Sequence, residues 1–472
     1  MRLGTLTGTG DGGPLVTGFA IDHRKVAPGT VFGAFKGARF NGESFIAAAI
    51  AAGAIAVVAR PEAKVQGALH IADEEPRHAF AHLAARFFAP FPETVVAVTG
   101  TNGKTSTVEL TRQLWRMAGF NSASIGTLGV TTAGEQVSTG LTTPDVATFL
   151  SNIAGLRREG VTHVAFEASS HGLSQYRTAG LPVRAGAFTN LSRDHLDYHG
   201  TMEAYLEAKL RLFAQEIASD GSAVVWADDS HAAAVLDVAR ERALQIITVG
   251  AQGETLRLAD RTPTQLGQTL VIEADGKRHK VDLPLIGGYQ AANALVAAGL
   301  VIACGGTVEA TLANLARVQP VRGRLERAAI SRAGAPVYVD YAHTPDGLRA
   351  AIEALRPHAR GRIVTVFGAG GDRDTGKRPE MGKVAVELSD HVIVTDDNPR
   401  SEDPAAIRRD ILAGAPGAIE VGGRREAIAR GIAEAGAADI VLIAGKGHEQ
   451  GQIIGDLVLP FDDVTVAREC AG

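Results

Sequence analysis

The sequence predicts an α/β protein with several domains, and three observations support this. At 472 residues the chain is too long for one hydrophobic core. Short apolar runs alternate with helix-like segments, which is typical of buried, mostly parallel strands covered by helices on both faces. Two prolines around Phe91 and a change of pattern near QPVRGRLER divide the chain into three blocks.

The first block ends at FFAPFPET and predicts a small α/β module. Its centre is KVAPGTVFGAFKGARFNGESFIAAAIAAGAIAVVA. This stretch predicts a short strand, a glycine-rich loop, an alanine-rich helix and a further strand.

The second block opens with an apolar strand at 95–98, followed by a glycine-rich turn and a helix. The helix has Leu110, Leu114, Trp115 and Ala118 on one side and is expected to stop at Gly119. Further strands are predicted at HVAFEAS, AGAFTNL, SAVVWA and LQIITVG, with helices between them. The block therefore predicts a mostly parallel sheet.

The third block repeats the pattern, with strands predicted at APVYVDYAH, RIVTVFGAG, HVIVTDDNP and DIVLIAGKG. Ligands of open α/β sheets bind beyond the carboxyl ends of the strands. The loops at these ends are therefore expected to form one binding rim, which carries His343, Arg373, Asn398, Arg400, His448 and Glu449.

Composition excludes several classes of function. A net charge of −5 and 5% aromatic residues argue against nucleic-acid binding. Cys304 and Cys470 belong to no metal-binding pattern, so neither a structural zinc site nor a disulfide framework is expected. The opening MRLGTLTGTGDGG lacks the apolar segment of a signal peptide, and no apolar run is long enough for a membrane span. We therefore expect a cytoplasmic protein.

The turn in VVAVTGTNGKTSTVEL has the composition of a phosphate-binding loop. Val98 stands where the usual P-loop has its first glycine, so the spacing is shorter. The physical requirements are still met, since backbone N–H groups and a helix N-terminus face an anion. Lys104 can meet terminal phosphates, and the Thr105 hydroxyl can reach Mg²⁺. The alternative is a chance glycine-rich turn, and the preceding strand and following helix favour nucleotide binding.

Two further segments carry candidate metal ligands. Glu167 follows a buried strand, where a carboxylate is costly unless it binds a cation such as Mg²⁺ or pairs with an arginine. In NLSRDHLDYHG, His195 and His199 are four residues apart, but Leu196 replaces the glutamate of a zinc protease motif. The alternative for this second segment is a solvated loop that caps the next helix.

Three loops of the third block suggest an amino-acid ligand. FGAGGDRDTGKR matches neither a dinucleotide fingerprint nor a calcium loop, and it presents Arg373 and Arg378 as partners for a carboxylate or phosphate. TDDNPRSED combines acceptor, amide and guanidinium groups, which suit a ligand bearing both ammonium and carboxylate; a helix N-cap is its alternative. GKGHEQG adds Lys446, His448 and Glu449 to the same rim.

Together these motifs resemble the Mur ligases, the ATP-dependent enzymes that lengthen the peptide stem of peptidoglycan precursors. The resemblance covers nearly the whole chain, in the order TGTNGKTST, LTTPD, EASSHGL, NLSRDHLDYHG, DYAHTPDGL, GDRDTGKRP, DNPR and GKGHE. It implies three domains: a UDP-binding N-terminal domain at 1–92, a P-loop ATPase-like domain at 93–320 and a Rossmann-like, amino-acid-binding domain at 321–472.

The resemblance also implies the reaction. ATP would phosphorylate the D-glutamate γ-carboxylate of UDP-N-acetylmuramoyl-L-Ala-D-Glu, and an amine would attack the acyl phosphate to give an amide, ADP and phosphate. DNPR is the form found in members that add meso-2,6-diaminopimelate, where Arg400 would hold the distal carboxylate that lysine lacks. A monomer acting on these small molecules in the cytoplasm is implied.

Residue by residue, the resemblance assigns the nucleotide and metal contacts. The ATP-binding positions would be Gly100, Thr101, Asn102, Gly103, Lys104, Thr105, Ser106, Asn293, Arg324, Asp340 and His343. The catalytic positions would be Lys104, Glu167, His195 and Lys209. Lys209 would react with CO₂ to a carbamate, and Mg²⁺ would bind Thr105, Glu167, His195 and this carbamate.

The remaining assignments concern the two other substrates. The UDP-muramoyl-dipeptide would contact Asp22, Arg24, Thr142, Thr143, Ser169, Gln175 and Arg177. Diaminopimelate would contact Arg373, Asp397, Asn398, Arg400, Gly445 and Glu449.

The chain departs from the family pattern at two places. His23 stands where the family has serine, and Arg322 stands where it has proline before Gly323 and Arg324.

A lysine-adding ligase is one alternative function, which DNPR opposes, and a folylpolyglutamate synthetase-like ligase is another, which the N-terminal domain opposes. A P-loop switch or transport ATPase is the alternative of another class, and it leaves the amino-acid rim unexplained.

Overall fold

A computed structural model describes residues 1–37, 40–137, 142–264 and 266–472. Part of the predicted glycine-rich loop of the first block (38–39) and the leucine of LTTPD (141) lie outside the described residues. The chain forms two compact units. Unit 1 comprises Met1–Arg257 and Leu295–Thr311, and unit 2 comprises Leu258–Ala294 and Leu312–Gly472. The predicted domain boundaries at 92 and 320 stay predictions.

The N-terminal part of unit 1 is a parallel four-stranded sheet in the order β1-β2-β3-β4. Its strands are β1 (Gly18–Ala20), β2 (Thr30–Gly33), β3 (Ala54–Ala59) and β4 (Leu69–Ala72). Its helices are α1 (Leu3–Thr7), α2 (Ile46–Ala51) and α3 (Pro76–Phe88). The small α/β module predicted for the first block is therefore present.

The central part of unit 1 has strands in the order β12-β11-β10-β5-β9-β6-β7-β8. The pairs from β12 to β6 are parallel, whereas β7 and β8 extend the edge in antiparallel fashion. The strands are β5 (Thr94–Thr99), β6 (Ser122–Gly126), β7 (Gly129–Thr131), β8 (Gln136–Val137), β9 (His163–Glu167), β10 (Val183–Phe188), β11 (Ile217–Trp226) and β12 (Gln245–Gly250).

The helices of this part follow the predicted alternation. They are α4 (Lys104–Met117), α5 (Val146–Arg158), α6 (Ser170–Ser174), α7 (Leu196–His199), α8 (Met202–Arg211) and α9 (Ala232–Glu241). A π-helical turn, Leu212–Glu216, links α8 to β11. The helix after the glycine turn ends within two residues of Gly119, which has a φ of 90°. Residues 95–98 of β5 have no exposed surface, as expected for a central parallel strand.

Unit 2 is built on a six-stranded sheet in the order β16-β17-β21-β18-β19-β20, parallel except for β16. These strands are β16 (Glu326–Ile330), β17 (Pro336–Asp340), β18 (Ile363–Phe367), β19 (His391–Val394), β20 (Ile419–Glu420) and β21 (Ile440–Ala444). Its helices are α12 (Pro345–Leu355), α13 (Lys377–Leu388), α14 (Pro404–Leu412), α15 (Arg424–Ala433) and α16 (Asp463–Ala471).

Two antiparallel hairpins complete unit 2: β14 (Gly267–Ala274) with β15 (Lys277–Leu283), and β22 (Gly451–Ile454) with β23 (Leu457–Pro460). Three elements have residues in both units: β13 (Leu256–Thr264), α10 (Gly288–Ala303) and α11 (Val308–Leu315). Within the described residues, no helix combines the length and apolar character needed to cross a membrane.

The six-stranded sheet has a hydrophobic cluster on each face. Ile363 and Phe367 belong to one cluster, and Val364 and Val366 belong to the other, as the alternation of side chains along a strand requires. Unit 1 has its own core, to which α3 and α5 contribute, and α4 packs on the buried strands β6 and β9. The predicted α/β class with mostly parallel sheets is confirmed.

Candidate active site

The glycine turn of unit 1 is held in shape by a second loop. Gly100 has a φ of 149°, and a Cβ there would lie 1.9 Å from the Thr189 hydroxyl, so only glycine fits. Asn190 accepts from the backbone N–H of Asn102 at 2.9 Å through Oδ1 and donates to its carbonyl at 3.1 Å. The backbone N–H of Thr101 donates to the Asn190 carbonyl at 2.8 Å. The turn is thereby fixed at the N-terminus of α4, where an anion is stabilised.

Two lysine ammonium groups converge on one carbonyl of this turn. Lys104 Nζ donates to the Gly100 and Thr101 carbonyls at 2.9 and 2.8 Å, and Lys209 Nζ donates to the Gly100 carbonyl at 2.7 Å. Lys209 is buried, and its ammonium lies 4.2 Å from the centroid of the Tyr205 ring. Burial, together with the nearby Lys104 charge, lowers the pKa of Lys209 well below its ordinary value.

Glu167 ends β9 with 1% of its surface exposed. Its Oε1 accepts from the Thr127 backbone N–H at 2.7 Å, and its Oε2 accepts from the Thr127 hydroxyl at 3.3 Å. Within the described chain, Glu167 forms no ion pair with an arginine, so the salt-bridge alternative does not account for its burial. Thr127 was missed by sequence reasoning, as was β6, the strand that it directly follows.

The residues predicted to contact the muramoyl peptide form one hydrogen-bonded network around Glu167. Thr143 Oγ1 donates to the Glu167 carbonyl at 2.9 Å and lies 3.0 Å from the Ser169 hydroxyl. Arg177 donates to the Thr143 carbonyl at 2.6 Å and to the Gln175 side chain at 2.9 Å.

Thr142 joins the network through a 3.1 Å contact between its hydroxyl and that of Thr127. Every predicted peptide contact from 142 to 177 is therefore brought together with Glu167.

A cluster of aromatic and histidine side chains lies beside this network. His195 has a left-handed φ of 53° at the start of α7, and its ring centroid is 4.9 Å from that of His171. His199 Nε2 lies 2.9 Å from the Ser170 hydroxyl. Burial, followed by the proximity of His195 and His199, lowers the pKa of His171 to about 4. His171 stands in the EASSHGL motif but was not singled out from the sequence.

The donor set fits Mg²⁺ better than zinc. In the described part of the chain, no group of three or more His, Cys, Asp or Glu side chains is arranged to hold a metal. Mg²⁺ keeps several waters and binds through one or two carboxylates and substrate phosphates, so it needs no such group. Glu167 supplies one carboxylate, and Thr105 is the second residue of the helix behind the turn.

The predicted UDP contacts lie in the loop after β1. Asp22 accepts from the Arg24 side chain at 2.7 Å, and this bond lowers the pKa of Asp22 to about 2. Arg24 is exposed. His23, which replaces the family's serine, is stacked on Phe45 with ring centroids 4.4 Å apart and planes 4° apart. The departure therefore places an aromatic stack where a hydroxyl was expected.

In unit 2, the predicted nucleotide contacts surround the end of β17. Asp340 accepts from the backbone N–H groups of Leu325 and Ala342 at 2.7 and 2.9 Å, and burial raises its pKa. The Arg324 guanidinium lies 4.8 Å from the centroid of the Tyr341 ring.

His343 is on the same loop and donates through Nδ1 to the Tyr341 carbonyl at 2.9 Å. Buried Asn293 donates to Gln290 at 3.3 Å, and Gln290 in turn donates to the Arg324 carbonyl at 2.8 Å. Asn293, Arg324 and Asp340 are thus parts of one local structure.

The amino-acid rim of unit 2 is a connected set of polar groups at the carboxyl ends of β19 and β21. Asn398 Nδ2 donates to Glu449 at 2.7 Å, and Lys446 Nζ donates to Asn398 Oδ1 at 3.0 Å and to Glu449 at 3.3 Å. Asp397 lies against the backbone of Gly445, since a Cβ placed on Gly445 would be 2.5 Å from Asp397 Oδ2. The sequence placed these residues on one rim, and the structure joins them by direct bonds.

The three arginines of the rim differ in their surroundings. Arg400, with a φ of 53°, donates to the Gly371 carbonyl at 2.8 Å, and Arg373 is exposed. Arg378 does not face a ligand as predicted. It is 2% exposed and is paired with Glu402 at 2.8 Å and Asp410 at 2.9 Å. These acids lie 24 and 32 residues further along the chain, so the local motif gave no sign of them.

The second departure from the family pattern has a partner of its own. Arg322 is hydrogen-bonded to Asp462, the residue that caps α16. The segment that lacks the family's proline is therefore held to the start of α16 by an ion pair within unit 2.

Comparison with known proteins identifies relatives along the whole chain. Three family models match: the Mur ligase family catalytic domain at 15–88, the Mur ligase middle domain at 98–301 and the Mur ligase glutamate ligase domain at 323–447. The UDP-N-acetylmuramoyl-L-alanyl-D-glutamate–2,6-diaminopimelate ligase of Zymomonas mobilis is 64% identical over 458 residues, covering 96% of this chain and 94% of the relative. That of Bradyrhizobium diazoefficiens is 51% identical over 452 residues, covering 95% and 93%.

Solved structures agree with the sequence relatives. A structure of a UDP-N-acetylmuramoyl-L-alanyl-D-glutamate–2,6-diaminopimelate ligase has a TM-score of 0.76 at 33% identity and covers 100% of this chain and 98% of the other. Folylpolyglutamate synthase of Mycobacterium tuberculosis, complexed with ADP and AMPPCP, has a TM-score of 0.62 at 20% identity, covering 79% and 92%. The second likeness concerns the fold alone.

Proposed function

The chain belongs to the Mur ligase family, and from this premise we propose that it joins meso-2,6-diaminopimelate to the D-glutamate γ-carboxylate of UDP-N-acetylmuramoyl-L-Ala-D-Glu. The reaction consumes ATP and releases ADP and phosphate. The observation that carries the proposal is the rim of unit 2, where Asn398, Lys446 and Glu449 are bonded to one another beside Arg400. The names of the full-length relatives support the same substrate.

The chemistry has two steps. A γ-carboxylate oxygen attacks the γ-phosphorus of ATP, and the bond to ADP breaks, which gives an acyl phosphate. The amine of diaminopimelate then attacks the carbonyl carbon, and the tetrahedral intermediate collapses as phosphate leaves. A carboxylate is a poor electrophile until one oxygen becomes a good leaving group, so positioning and charge neutralisation provide much of the catalysis.

The turn residues of unit 1 hold the phosphates in this scheme. Lys104 exchanges its bonds to the Gly100 and Thr101 carbonyls for phosphate oxygens. The N–H groups at the start of α4 stabilise the same charge. Mg²⁺, when bound, neutralises charge on the phosphates. Thr105, Glu167, His195 and the carbamate of Lys209 are the residues proposed to hold it.

The network around Glu167 orients the acceptor peptide. Thr143, Ser169 and Arg177 already share hydrogen bonds, so a carboxylate held by Arg177 is fixed relative to Glu167. Such pre-arrangement lowers the cost of ordering the site when the substrate binds.

The carbamate proposal rests on the burial of Lys209. The ammonium first loses a proton to solvent, the lone pair of the resulting neutral amine attacks the carbon of CO₂, and a second N–H proton then goes to solvent, so a cation becomes an anion beside the phosphate turn. With ¹³C-bicarbonate, we expect a carbamate ¹³C resonance from the protein that is absent in Lys209→Met and retained in Lys383→Met, which changes an exposed lysine. A resonance equal in all three proteins, or none in any, contradicts the proposal.

The requirement for diaminopimelate tests the function itself. The protein is incubated with ATP, Mg²⁺ and UDP-N-acetylmuramoyl-L-Ala-D-Glu, and either meso-diaminopimelate or L-lysine is added. We expect tripeptide, measured by mass, only with diaminopimelate. We also expect Arg400→Gln to lower kcat/KM for diaminopimelate by at least about 30-fold, because truncating one partner of a buried charge pair costs about 2–5 kcal/mol.

Arg425→Gln, which changes an exposed arginine paired with Glu469, is the matched control in unit 2. Equal use of lysine contradicts the role of Arg400. Phosphate release without precursor or amine indicates a switch ATPase instead.

The proposal also includes a monomeric protein acting in the cytoplasm and three domains divided at 92 and 320. The three family matches support this division, because the first ends at 88, the second runs from 98 to 301 and the third begins at 323. Light scattering during size-exclusion chromatography measures the oligomeric state.

A further inference from the structure

A second arginine lies beside the predicted peptide contacts of unit 1. Arg77 is in the first turn of α3 and is partly buried. Its guanidinium is 4.8 Å from the centroid of the Phe35 ring, and its hydrogen bond to the Lys36 carbonyl is long, at 3.5 Å. One face of the Arg77 guanidinium is thus packed against the Phe35 ring, while the hydrogen bond that its N–H group donates is long and weak.

The start of α3 is fastened to the loop that carries Gln175 and Arg177. Glu75 accepts a hydrogen bond from the Tyr176 hydroxyl, and the His78 ring centroid lies 5.1 Å from that of Tyr176. Tyr176 has a left-handed φ of 55°, and the Arg211 guanidinium lies 5.0 Å from the centroid of its ring. Arg77 therefore lies between two residues, Glu75 and His78, that both contact Tyr176.

These contacts tie the segments that carry the two arginines, since Arg77 lies between Glu75 and His78 and Arg177 follows Tyr176. Burial lowers the pKa of Arg77, the Arg177 charge lowers it further, and Tyr198 acts in the opposite direction. Tyr198 accepts a hydrogen bond from Gln175 at 3.0 Å, and Gln175 in turn accepts from Arg177. The segment that carries Arg77 is therefore tied to the loop whose Gln175 and Arg177 belong to the network around Glu167.

Two partly buried guanidinium groups on these tied segments have no ion-pair partner among the described residues, although the charge of Asp145 acts on Arg177. Within the described residues, no carboxylate forms an ion pair with Arg77 or Arg177, although Arg177 donates to the Thr143 carbonyl and Gln175. Like charges that lack an ion-pair partner at a partly buried site are unfavourable in a ligand-free protein. Arginine is the side chain best suited to hold carboxylate or phosphate by two parallel hydrogen bonds.

We propose that Arg77 is a further substrate-binding residue, which together with Arg177 holds an anionic group of the UDP-muramoyl-dipeptide. The inference rests on the proposed function and adds one residue to its peptide site. The anion is either the α-carboxylate of the D-glutamyl residue or the diphosphate of the nucleotide. Both present oxygens that two guanidinium groups can share, and the experiment distinguishes them.

The test measures binding directly. Calorimetry gives Kd for UDP-N-acetylmuramoyl-L-Ala-D-Glu and for an analogue whose D-glutamyl α-carboxyl is an amide, with wild type and Arg77→Gln. We expect Arg77→Gln to weaken binding of the natural precursor by about 10- to 100-fold, the loss typical of a hydrogen bond to a charged group. Kd for ATP and the Tm are expected to stay as in wild type.

The analogue identifies the anion. If Arg77 holds the α-carboxylate, the analogue binds wild type more weakly than the precursor does, and Arg77→Gln adds no further loss. If it holds the diphosphate, Arg77→Gln weakens both ligands by the same factor. Either pattern supports the proposal.

Controls separate binding from folding. Arg77→Lys keeps a cation on the Phe35 ring, and we expect it to lose less affinity than Arg77→Gln. Arg86→Gln changes an exposed arginine on the same helix and is expected to leave Kd unchanged. Equal precursor affinity of wild type and Arg77→Gln overturns the inference, as does a loss of precursor and ATP affinity together with a lower Tm. If wild type itself fails to bind the precursor, the proposed function fails instead.

Discussion

At the scale of single residues, Glu216 has the clearest dependence on pH. It ends the π-helical turn before β11, is 8% exposed, and its Oε2 has no hydrogen-bond partner among the described residues. Burial raises the pKa of Glu216 to about 7, against the opposing effect of Arg211. Between pH 4.5 and 7 the unfolded chain releases a proton that the folded protein retains. The free energy of unfolding therefore falls as pH rises through this window.

Removing this charge should stabilise unit 1 at high pH. We expect Glu216→Gln to raise the free energy of unfolding by about 3 kcal/mol at pH 8 and by almost nothing near pH 4.5. Urea unfolding followed by tryptophan fluorescence is suitable, since Trp115 and Trp226, the only tryptophans, both lie in unit 1. Glu207→Gln, which changes an exposed glutamate on α8, is the control. A gain of the same size at both pH values contradicts the explanation.

At the scale of elements, local sequence patterns predicted the strands, helices and turns that depend on neighbouring residues. The apolar runs of the third block match β17, β18, β19 and β21, and the glycine turn lies between a strand and a helix as expected. The order of these strands in the sheet could not be predicted, because it depends on contacts between distant segments. The β14–β15 hairpin was missed despite its signal, Asp275-Gly276, whose φ values of 50° and 71° suit a tight hairpin turn.

In the candidate site, too, residues could be placed from local motifs, whereas contacts between distant segments could not be predicted. Residue types and motifs placed Lys104, Glu167 and Asn398 at the ends of strands. The clamp of Asn190 on the glycine turn spans 88 residues, and no local pattern contains it. Tyr205 is a missed residue that could have been found, since it lies one helical turn before Lys209 on α8.

At the scale of the whole molecule, each compact unit has its own stabilising centre, and that of unit 2 includes a buried ion pair. Arg424 and Asp463 have no exposed side-chain surface and are joined by bonds of 2.6 and 2.7 Å. Arg424 also donates to the Ala444 carbonyl at 3.0 Å, at the end of β21. The pair therefore fastens α15 and α16 to the strand that leads into the amino-acid rim.

Breaking this pair should loosen unit 2. Asp463→Asn removes the hydrogen-bonded charge partner of buried Arg424 and leaves only the longer pair with Asp397 at 4.0 Å; breaking a buried pair typically costs about 3–5 kcal/mol. We expect amide hydrogen exchange in the six-stranded sheet to accelerate by about 100-fold or more, the factor that such a cost implies. Peptides from β5 and β9, in the core of unit 1, are the internal reference. The double variant Arg424→Met with Asp463→Leu removes both charges and is expected to exchange more slowly than Asp463→Asn. If the single variant exchanges like wild type, the pair does not hold unit 2 together, and the rim must be positioned by the bonds among Asn398, Lys446 and Glu449 alone.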